Sequence, residues 1–183
     1  MSIQVSGLVH PFIRVSHYVP INILVSGGSV LAVCGVNGSG KTTFLKLLLN
    51  KVQPKKGTIK ADAKYAYLGV KNGLKPQLKL RLQLPYFTSK QQHFPWPKFL
   101  DKIYQDLSKG QQRLVALWIV LHSTKSLILI DEPFMHLDKN NSSLVNAWIN
   151  EQLNFKKTII LTHHNPEDLK SIQSLQVLDL NEC

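Results

Sequence analysis

The sequence predicts an α/β domain whose mainly parallel central sheet is flanked by helices. Two segments, residues 30–34 and 127–130, are wholly apolar, which is typical of strands buried on both faces of such a sheet. In the second half of the chain helical and strand patterns alternate, with a helix near 141–153 and a strand at 158–161. Strands that alternate with helices are joined by crossover connections, and these connections make neighbouring strands parallel.

The beginning and the middle of the chain depart from this alternation. Four prolines break residues 70–106, which predicts an irregular region with short helices, followed by a helix that ends near residue 122. We expect one domain over residues 1–183, with a helical subdomain inserted in it at about 70–122. A small antiparallel β part is also expected, from strand-like segments at 3–9, 12–19 and 21–25 and a hairpin across 57–68, and the chain is expected to finish with a helix and a strand at 176–180.

Length and composition exclude several classes of protein. The chain has 183 residues, 44% of them hydrophobic, and no apolar run approaches the ~20 residues that span a bilayer. Its first ten residues, MSIQVSGLVH, resemble neither a secretory signal nor a transit peptide, so we expect the protein to stay where it is translated. Its two cysteines, Cys34 and Cys183, make no disulfide framework or metal cluster, and Cys34 is expected in the core.

The chain is strongly basic, with 22 lysine and arginine residues, 11 acidic residues and a formal net charge of +11. Such a balance favours polyanionic partners, namely nucleic acid, an anionic membrane surface or nucleotide phosphates. A lysine-rich surface that is merely solvated explains the charge equally well, because the lysines are scattered along the chain rather than clustered. The charge by itself does not select a function.

The segment GVNGSGKT at 35–42 matches the phosphate-binding pattern G-x-x-x-x-G-K-S/T and stands between a predicted strand and a predicted helix. Glycines allow the backbone N–H groups to turn inward around a phosphate. Lys41 is expected to reach the β- and γ-phosphates of a nucleotide, and the Thr42 hydroxyl to bind Mg²⁺. The residues expected along the bound nucleotide are Gly35, Asn37, Gly38, Ser39, Gly40, Lys41, Thr42 and Thr43.

The segment LILIDEP at 127–133 places two acidic residues directly after a buried strand. In open α/β folds the ligand lies at the carboxyl ends of the strands, where these acids emerge. Asp131 is therefore expected to hold Mg²⁺, and Glu132 to act as the general base on an attacking water. An acid pair in such a place is often only a helix cap, but beside a complete phosphate-binding loop the catalytic interpretation is favoured.

A third motif, DLSKGQQ at 106–112, begins a predicted helix with Ser108 and Gly110, and the free N–H groups at a helix start can hold an anion. Together with the first two motifs it makes the sequence resemble the ATP-binding cassette (ABC) ATPases, whose signature is written LSGGQ. The resemblance implies a P-loop NTPase fold of the ABC type. It also implies a head-to-tail dimer that hydrolyses ATP with Mg²⁺, in which Ser108, Gly110 and Gln111 meet the nucleotide on the partner's P-loop.

Other family elements are placed by the same resemblance. Asp138, in FMHLD, corresponds to the D-loop at the dimer interface, and Phe12 stands where an aromatic ring stacks on adenine, with Tyr18 as the alternative. The histidine that senses the γ-phosphate is His163 or His164 in THHNP, and His164 fits the His-x-Pro spacing better. Adjacent residues at a strand end point to opposite faces, so only one of the two can face the nucleotide.

Two positions depart from the family pattern. Lys71 aligns with the Q-loop glutamine, although an ammonium group cannot ligate Mg²⁺, and Gln77 is a weakly supported substitute. Lys109 replaces the first glycine of the signature, where a lysine adds a favourable charge beside ATP. The stretch from Lys41 to Ser108 is also short for the family, which indicates a trimmed helical subdomain and an altered docking surface for a membrane partner.

Within the family, the segments LSKGQQRLVAL, IDEPF and YLGVKNGLKPQL are similar to the ATPase subunits of the haem exporters of cytochrome c maturation. The resemblance implies a peripheral ATPase that works with integral membrane subunits and a second cassette, on the mitochondrial matrix face or the bacterial cytoplasmic face of an inner membrane. Three alternatives stay open: the ATPase of another importer or exporter, a soluble nucleic-acid-associated cassette, and a degenerate nucleotide-binding scaffold. Nucleic acid is the less expected partner, because such proteins usually carry two cassettes or long coiled-coil insertions.

Overall fold

A computed structural model describes residues 2–61, 63–87 and 93–181, with only the backbone described at 86 and 87. Within these ranges the strands are β1 Ser2–Val9, β2 Ile21–Ser26, β3 Val30–Cys34, β4 Lys56–Lys60, β5 Tyr65–Leu68, β6 Leu127–Ile130, β7 Thr158–His163 and β8 Leu175–Asp179. The α-helices are α1 Lys41–Leu48, α2 Leu80–Phe87, α3 Lys109–Leu121 and α4 Lys139–Asn154. No helix in the described ranges is long and apolar enough to cross a membrane.

The strands form two sheets. The larger has the order β5-β6-β7-β3-β8, and every neighbouring pair in it is parallel. The smaller has the order β2-β1-β4, and both of its pairs are antiparallel. The predicted combination of a parallel central sheet with a small antiparallel β part is therefore confirmed.

The apolar strands occupy the interior of the larger sheet and bring three chain segments to one edge. Every residue of β3 and β6 is buried, as a strand covered on both faces requires. Strand β7 lies between them, pairing Cys34 with His163 and Ile130 with Leu161. The loops that follow these three neighbouring strands consequently meet at their carboxyl ends.

The two faces of the larger sheet are covered by different layers. On one face α1 and the small sheet pack together, with Phe44 and Leu45 among residues such as Ile3 and Val25. The other face is covered by α3 and α4, whose buried residues pack against β6 and β7. This arrangement places the start of α1 and the start of α3 on opposite sides of the central sheet.

The segment between β5 and α3 has a small core of its own. Its described residues include α2 and the 3₁₀ turns Pro97–Phe99 and Tyr104–Asp106, as the prediction of an irregular region with short helices requires. Its aromatic rings pack edge-on or stacked with centroids 5.2–6.1 Å apart, and they join it to α3 and α4. The rings are those of Phe94, Trp96, Phe99, Trp118 and Trp148.

Three local predictions are wrong. The hairpin expected across 57–68 does not form, because β4 pairs with β1 in the small sheet whereas β5 pairs with β6 in the large one. The strand expected at 12–19 is a 3₁₀ turn, Arg14–His17, in which the Ser16 hydroxyl donates hydrogen bonds to backbone oxygens of Ile13 and His10. The helix expected before the last strand is one 3₁₀ turn, Pro166–Leu169.

The predictions for the cysteines have different outcomes. Cys34 is fully buried at the end of β3, which confirms its place in the core. Burial, with a smaller effect of Asp179, raises the pKa of the Cys34 thiol to about 11, so the thiol is not a reactive group at neutral pH. Cys183 lies outside the described residues.

Candidate nucleotide site

The loop between β3 and α1 has the conformation that its glycines permit. Gly35, Gly38 and Gly40 all have positive φ angles, of 147°, 80° and 108°. Gly40 caps α1, and a side chain there would place its Cβ 2.4 Å from the backbone oxygen of Phe12. No residue other than glycine fits this position, because both the backbone angle and the space are restricted.

Lys41 closes the loop from inside. Its ammonium group is largely buried and donates hydrogen bonds to the backbone oxygens of Gly35, at 2.7 Å, and Val36, at 3.2 Å. The same nitrogen lies 3.6 Å from Oε1 of Glu132. The lysine, the loop and the second acid of LILIDEP therefore share one site, as the motifs predict.

The loop borders a cavity of about 480 Å³. Its lining residues are Phe12, Asn37, Gly38, Gly40, Lys41, Thr42, Thr43, Val70 and Glu132. Two of the predicted contact residues lie behind this wall instead: Ser39 is buried, and Gly35 turns its backbone oxygen to Lys41. The cavity is thus formed by the loops after β3, β5 and β6, together with Phe12.

Asp131 is held between two threonine hydroxyl groups. It is buried at the end of β6; its Oδ2 accepts a hydrogen bond of 2.9 Å from Thr42 Oγ1, and its Oδ1 accepts one of 2.7 Å from Thr162 Oγ1. The hydroxyl of Thr162 also accepts a hydrogen bond of 2.8 Å from the backbone N–H of Glu132. Thr162 was not among the predicted site residues, and it orients both acids.

Glu132 lies in a backbone conformation that is unusual for its residue type. Its φ angle is 50°, in the left-handed region that L-residues other than glycine seldom adopt. The side chain is mostly buried, and its Oε1 lies 3.3 Å from Nε2 of His164 as well as 3.6 Å from Lys41. The turn therefore aims one carboxylate oxygen at the point where a cationic side chain and an imidazole converge.

The two adjacent histidines point to different sides of the strand end. His164 is half-exposed and directs its Nε2 to Glu132 at 3.3 Å. His163 is largely buried; its Nε2 lies 3.0 Å from Asp168 Oδ2, and its ring packs edge-on against Phe134. The geometry brings His164, and not His163, to the acid pair.

The two aromatic side chains considered for adenine stacking are both exposed, Phe12 at 71% and Tyr18 at 74%. Only Phe12 lines the cavity at the P-loop. Its backbone also contacts that loop, since the Phe12 oxygen closes over Gly40. The structure therefore places Phe12 at the cavity wall and Tyr18 away from it.

The residue of the 69–73 loop that reaches this cavity is Val70. Lys71 lies instead in a neighbouring groove of about 570 Å³, together with Lys109 and His136. Gln77 is exposed and lines neither of these two spaces. Neither the lysine at the aligned Q-loop position nor its suggested substitute borders the Thr42–Asp131 pair.

The signature begins α3 with a reciprocal cap. Ser108 Oγ accepts a hydrogen bond of 3.2 Å from the backbone N–H of Gln111, and Gln111 Oε1 accepts one of 3.1 Å from the N–H of Ser108. Gly110 packs closely on the loop after β6, because an added Cβ would lie 2.9 Å from the His136 oxygen. These residues are absent from the lining of the P-loop cavity in the same chain.

Asp138 caps the next helix. Its Oδ1 accepts a hydrogen bond of 2.8 Å from the backbone N–H of Asn141, and its Oδ2 one of 3.0 Å from the side-chain amide of the same residue. The carboxylate is exposed and lies outside the P-loop cavity. The Asp138 cap therefore fixes the end of the loop that follows the acid pair, and it does not reach the P-loop cavity.

Arg113 is a second functional residue that the sequence interpretation missed. It is 1% exposed, and its guanidinium donates hydrogen bonds to the backbone oxygens of Asp131, at 2.6 Å, and Glu132, at 2.8 Å. Burial lowers its pKa to about 10, against the opposing effect of Asp131, so it stays charged at neutral pH. Further hydrogen bonds go to the flanking loops, at Gly69 O, Asn72 Oδ1 and Pro133 O.

These contacts connect the signature helix with the acid pair. A signal was available in the sequence: Arg113 stands among the apolar residues of a helix, where an unpaired charge would be costly. The parallel sheet, the P-loop after β3, the acid pair after β6 and the signature at the start of α3 together define a P-loop NTPase of the ATP-binding cassette type.

The chain belongs to the ABC transporter family, whose model matches residues 18–135. It is 30% identical over 167 residues to the cytochrome c biogenesis ATP-binding export protein CcmA of Xanthomonas axonopodis. The aligned region covers 79% of this chain and 78% of that protein. The protein of the same name from Rickettsia conorii is 27% identical over 176 residues, or 86% of this chain and 92% of the relative.

Solved structures agree in fold. An ABC transporter ATP-binding protein from Pyrococcus furiosus superposes with a TM-score of 0.81 at 21% identity, over 97% of this chain and 98% of that one. The predicted fold class and the resemblance to ABC ATP-binding subunits are both confirmed. The chain is accordingly an ATP-hydrolysing enzyme of this family.

Proposed function

We propose that this chain binds Mg²⁺–ATP in the P-loop cavity and hydrolyses it there, as the peripheral ATPase subunit of a membrane complex. The observation that carries the proposal is the convergence of Lys41, Glu132 and the Thr42–Asp131 pair at one site, with His164 directed at Glu132. A glycine-rich turn that served only to connect a strand with a helix would need none of these contacts. The degenerate-scaffold alternative is disfavoured by the same geometry.

The residues at Thr42 and Asp131 suit a magnesium ion. Their oxygens are 2.9 Å apart, and a hydroxyl and a carboxylate are hard ligands of the kind that Mg²⁺ prefers. Among the described residues no group of three or more histidine, cysteine or acidic side chains is arranged for a metal. That fits an ion shared with nucleotide phosphates, which supplies charge neutralisation for the transferred phosphoryl group when it is bound.

The protein's own groups have separable roles. Glu132 is placed to accept the proton of a water that attacks the γ-phosphate, because its carboxylate oxygen faces the cavity beside Lys41. His164, through its contact with that oxygen, orients the carboxylate. The lysine exchanges its loop carbonyl partners for phosphate oxygens, and Thr162 keeps both acids in place.

A second copy of the cassette completes the site in this proposal. Ser108 and Gly110 lie at the start of α3 and outside the cavity of their own chain, and Ser108 is exposed there. An anion is stabilised at such a helix start, so the γ-phosphate on the partner's P-loop is a suitable occupant. ATP would then close the dimer and hydrolysis would open it.

We further propose that the complex is the haem exporter of cytochrome c biogenesis. Support comes from the motifs DLSKGQQRLVAL and IDEPF and from relatives that bear the name cytochrome c biogenesis ATP-binding export protein. These relatives are bacterial, which favours the cytoplasmic face of an inner membrane; the mitochondrial matrix face is the equivalent location in an organelle. In this role the subunit is part of a translocase whose membrane-spanning subunits are other chains.

The test is purification of the chain from its native membranes in a mild detergent, with its partners identified and haem absorbance recorded. We expect integral membrane subunits and a haem absorbance band to co-purify. If the co-purifying partners are those of an ordinary solute transporter, without haem, the haem-exporter proposal is wrong and the membrane-ATPase proposal stands. Recovery of the chain in the soluble fraction with nucleic acid would contradict both proposals.

His164 is expected to contribute to ATP hydrolysis, and His163 to the stability of the fold. His164→Ala should lower the rate of ATP hydrolysis by roughly 10-fold or more, because the contact with Glu132 is lost, while stability stays nearly unchanged at a half-exposed site. His163→Ala should instead lower the free energy of unfolding by about 1–3 kcal/mol, since a buried ring is removed. Steady-state ATPase rates and thermal unfolding of both variants decide this, and reversed effects would assign the catalytic contact to His163.

Phe12 and Tyr18 form a matched pair for the adenine contact. Phe12→Ala should weaken ATP binding roughly tenfold, the loss of about 1–1.5 kcal/mol of stacking, because its ring borders the cavity. Tyr18→Ala, a substitution at an equally exposed ring, should leave the dissociation constant unchanged. Calorimetric titration with ATP measures both, and an effect confined to Tyr18 would remove Phe12 from the site.

A further inference from the structure

The positive charge of the chain is not evenly spread, contrary to the interpretation drawn from the sequence. Residues 41–81 contain ten lysines, one arginine and a single acid, Asp62. Residues 82–183 contain ten basic and ten acidic residues, and no acid precedes Asp62. The excess therefore belongs almost entirely to one segment, which runs from α1 through β4 and β5.

Six lysines of this segment form a surface that we call the lysine face: Lys46, Lys51, Lys55, Lys56, Lys60 and Lys64. All six are exposed. Alternation along β4 turns Ile59 to the core and Lys56 and Lys60 to the opposite side. The end of α1 and strand β4 line one groove, to which Leu47 and Leu48 contribute from the helix and Lys60 from the strand.

The lysine face continues from the small sheet to the edge of the large one. Lys51 follows α1 and places its Nζ 5.0 Å above the ring of Tyr67 in β5, and Lys64 directly precedes that strand. In the described part of the chain none of the six lysines forms an ion pair with a carboxylate. Among the described residues the face is thus a positive surface without a paired carboxylate.

Protection of sheet edges does not account for this distribution. Lysines on an edge strand do discourage pairing with other chains, and β4, which carries Lys56 and Lys60, is an edge strand. The other three edge strands are β2, β5 and β8, with the sequences INILVS, YAYL and LQVLD, and they carry no lysine. A need for edge protection would apply to all four strands alike.

We propose that the lysine face lies against an anionic phospholipid surface. Each lysine near such a surface adds attraction that needs no specific geometry, which suits long flexible side chains on α1, on β4 and on the connections beside them. Nucleic-acid recognition more often uses arginine forks and stacked aromatic rings, and the face contains no arginine. The inference goes beyond ATP hydrolysis and does not depend on it, because the face excludes every residue of the nucleotide site.

The experiment measures binding of the full chain to vesicles, without nucleotide. One set of vesicles is phosphatidylcholine alone, and the other contains equal amounts of phosphatidylcholine and phosphatidylglycerol. We expect binding to the anionic set only, weakening as salt is added. The triple variant Lys55→Gln, Lys56→Gln, Lys60→Gln should bind roughly 100-fold more weakly, as three lost surface lysines imply.

The matched control removes the same charge elsewhere. The triple variant Lys98→Gln, Lys102→Gln, Lys156→Gln changes three exposed lysines of residues 82–183, where acids and bases are equal in number, and should reduce vesicle binding by less than about threefold.

Equal losses of vesicle binding in the two variants, or no binding of the wild-type chain to anionic vesicles, would overturn the proposal. So would tighter binding to mixed-sequence RNA or duplex DNA at the same salt, lost in the first variant, since the face would then serve nucleic acid. ATPase activity of both variants is measured in parallel, so a failure here leaves the proposed function intact.

Discussion

Replacing Glu132 by glutamine is expected to lower the rate of ATP hydrolysis by about 10²–10⁴-fold and to leave ATP binding in place. The amide has the shape of the carboxylate and keeps polar contacts with Lys41 and His164, but it cannot accept a proton from water. The hydrogen bonds from Lys41 to the loop oxygens and the Thr42–Asp131 pair do not involve this side chain. Single-turnover hydrolysis and ATP titration of the variant measure the two effects separately.

A control for this variant is Glu167→Gln, which makes the same change at an exposed acid that pairs only with Lys170 among its described contacts. Its hydrolysis rate should match that of the wild-type chain. If Glu132→Gln hydrolyses ATP as fast as Glu167→Gln, the general base is another group and the assignment of Glu132 is wrong. If it fails to bind ATP, the residue is part of the binding site rather than the proton acceptor.

Replacing Arg113 by methionine is expected to lower the free energy of unfolding by about 3–5 kcal/mol, which corresponds to a fall in Tm of roughly 10 °C. Methionine fills the buried space but leaves the backbone oxygens of Asp131 and Glu132 without their donor. Because these oxygens belong to the acid pair, the catalytic rate should fall even where the variant is folded. Thermal unfolding and steady-state kinetics below the lowered Tm measure the two consequences.

Arg81→Met is the matched control for that experiment. Arg81 is exposed and pairs with the exposed Asp101, so its loss should cost less than about 1 kcal/mol. Arg113→Lys should recover part of the stability but not the full rate, since an ammonium cannot serve both oxygens with the geometry of a guanidinium. Similar Tm values for Arg113→Met and Arg81→Met would contradict the role of Arg113 in holding the acid pair.

The parts of the site that could be predicted from sequence are those in which one short segment carries the chemistry. Lys41 and Thr42 follow their glycines directly, and Asp131 and Glu132 directly follow a buried strand, so local pattern and fold class were sufficient. The choice of His164 rested on spacing, and the structure directs its Nε2 to Glu132.

What could not be predicted depends on contacts between distant segments. Thr162 is 31 residues from Asp131 in the chain, and nothing around it in the sequence distinguishes its hydroxyl from those of other threonines in strands. Contacts between distant segments also explain why the hairpin prediction was wrong. Strands β4 and β5 are close in sequence, but each pairs within the sheet where its apolar side is buried, β4 with β1 and β5 with β6. The position of Lys71, beside the cavity but not in it, likewise depends on how the loop after β5 folds.

The central claim is that one chain's P-loop works with another chain's signature, and mixing two inactive variants tests it most directly. Lys41→Ala removes phosphate binding, and Ser108→Arg blocks the exposed start of α3. Each variant alone should be inactive, whereas an equal mixture should regain about a quarter of the wild-type ATPase rate, because half the dimers are mixed and each mixed dimer has one intact site. A mixture as inactive as its two components, although both are folded and form dimers, would contradict the claim.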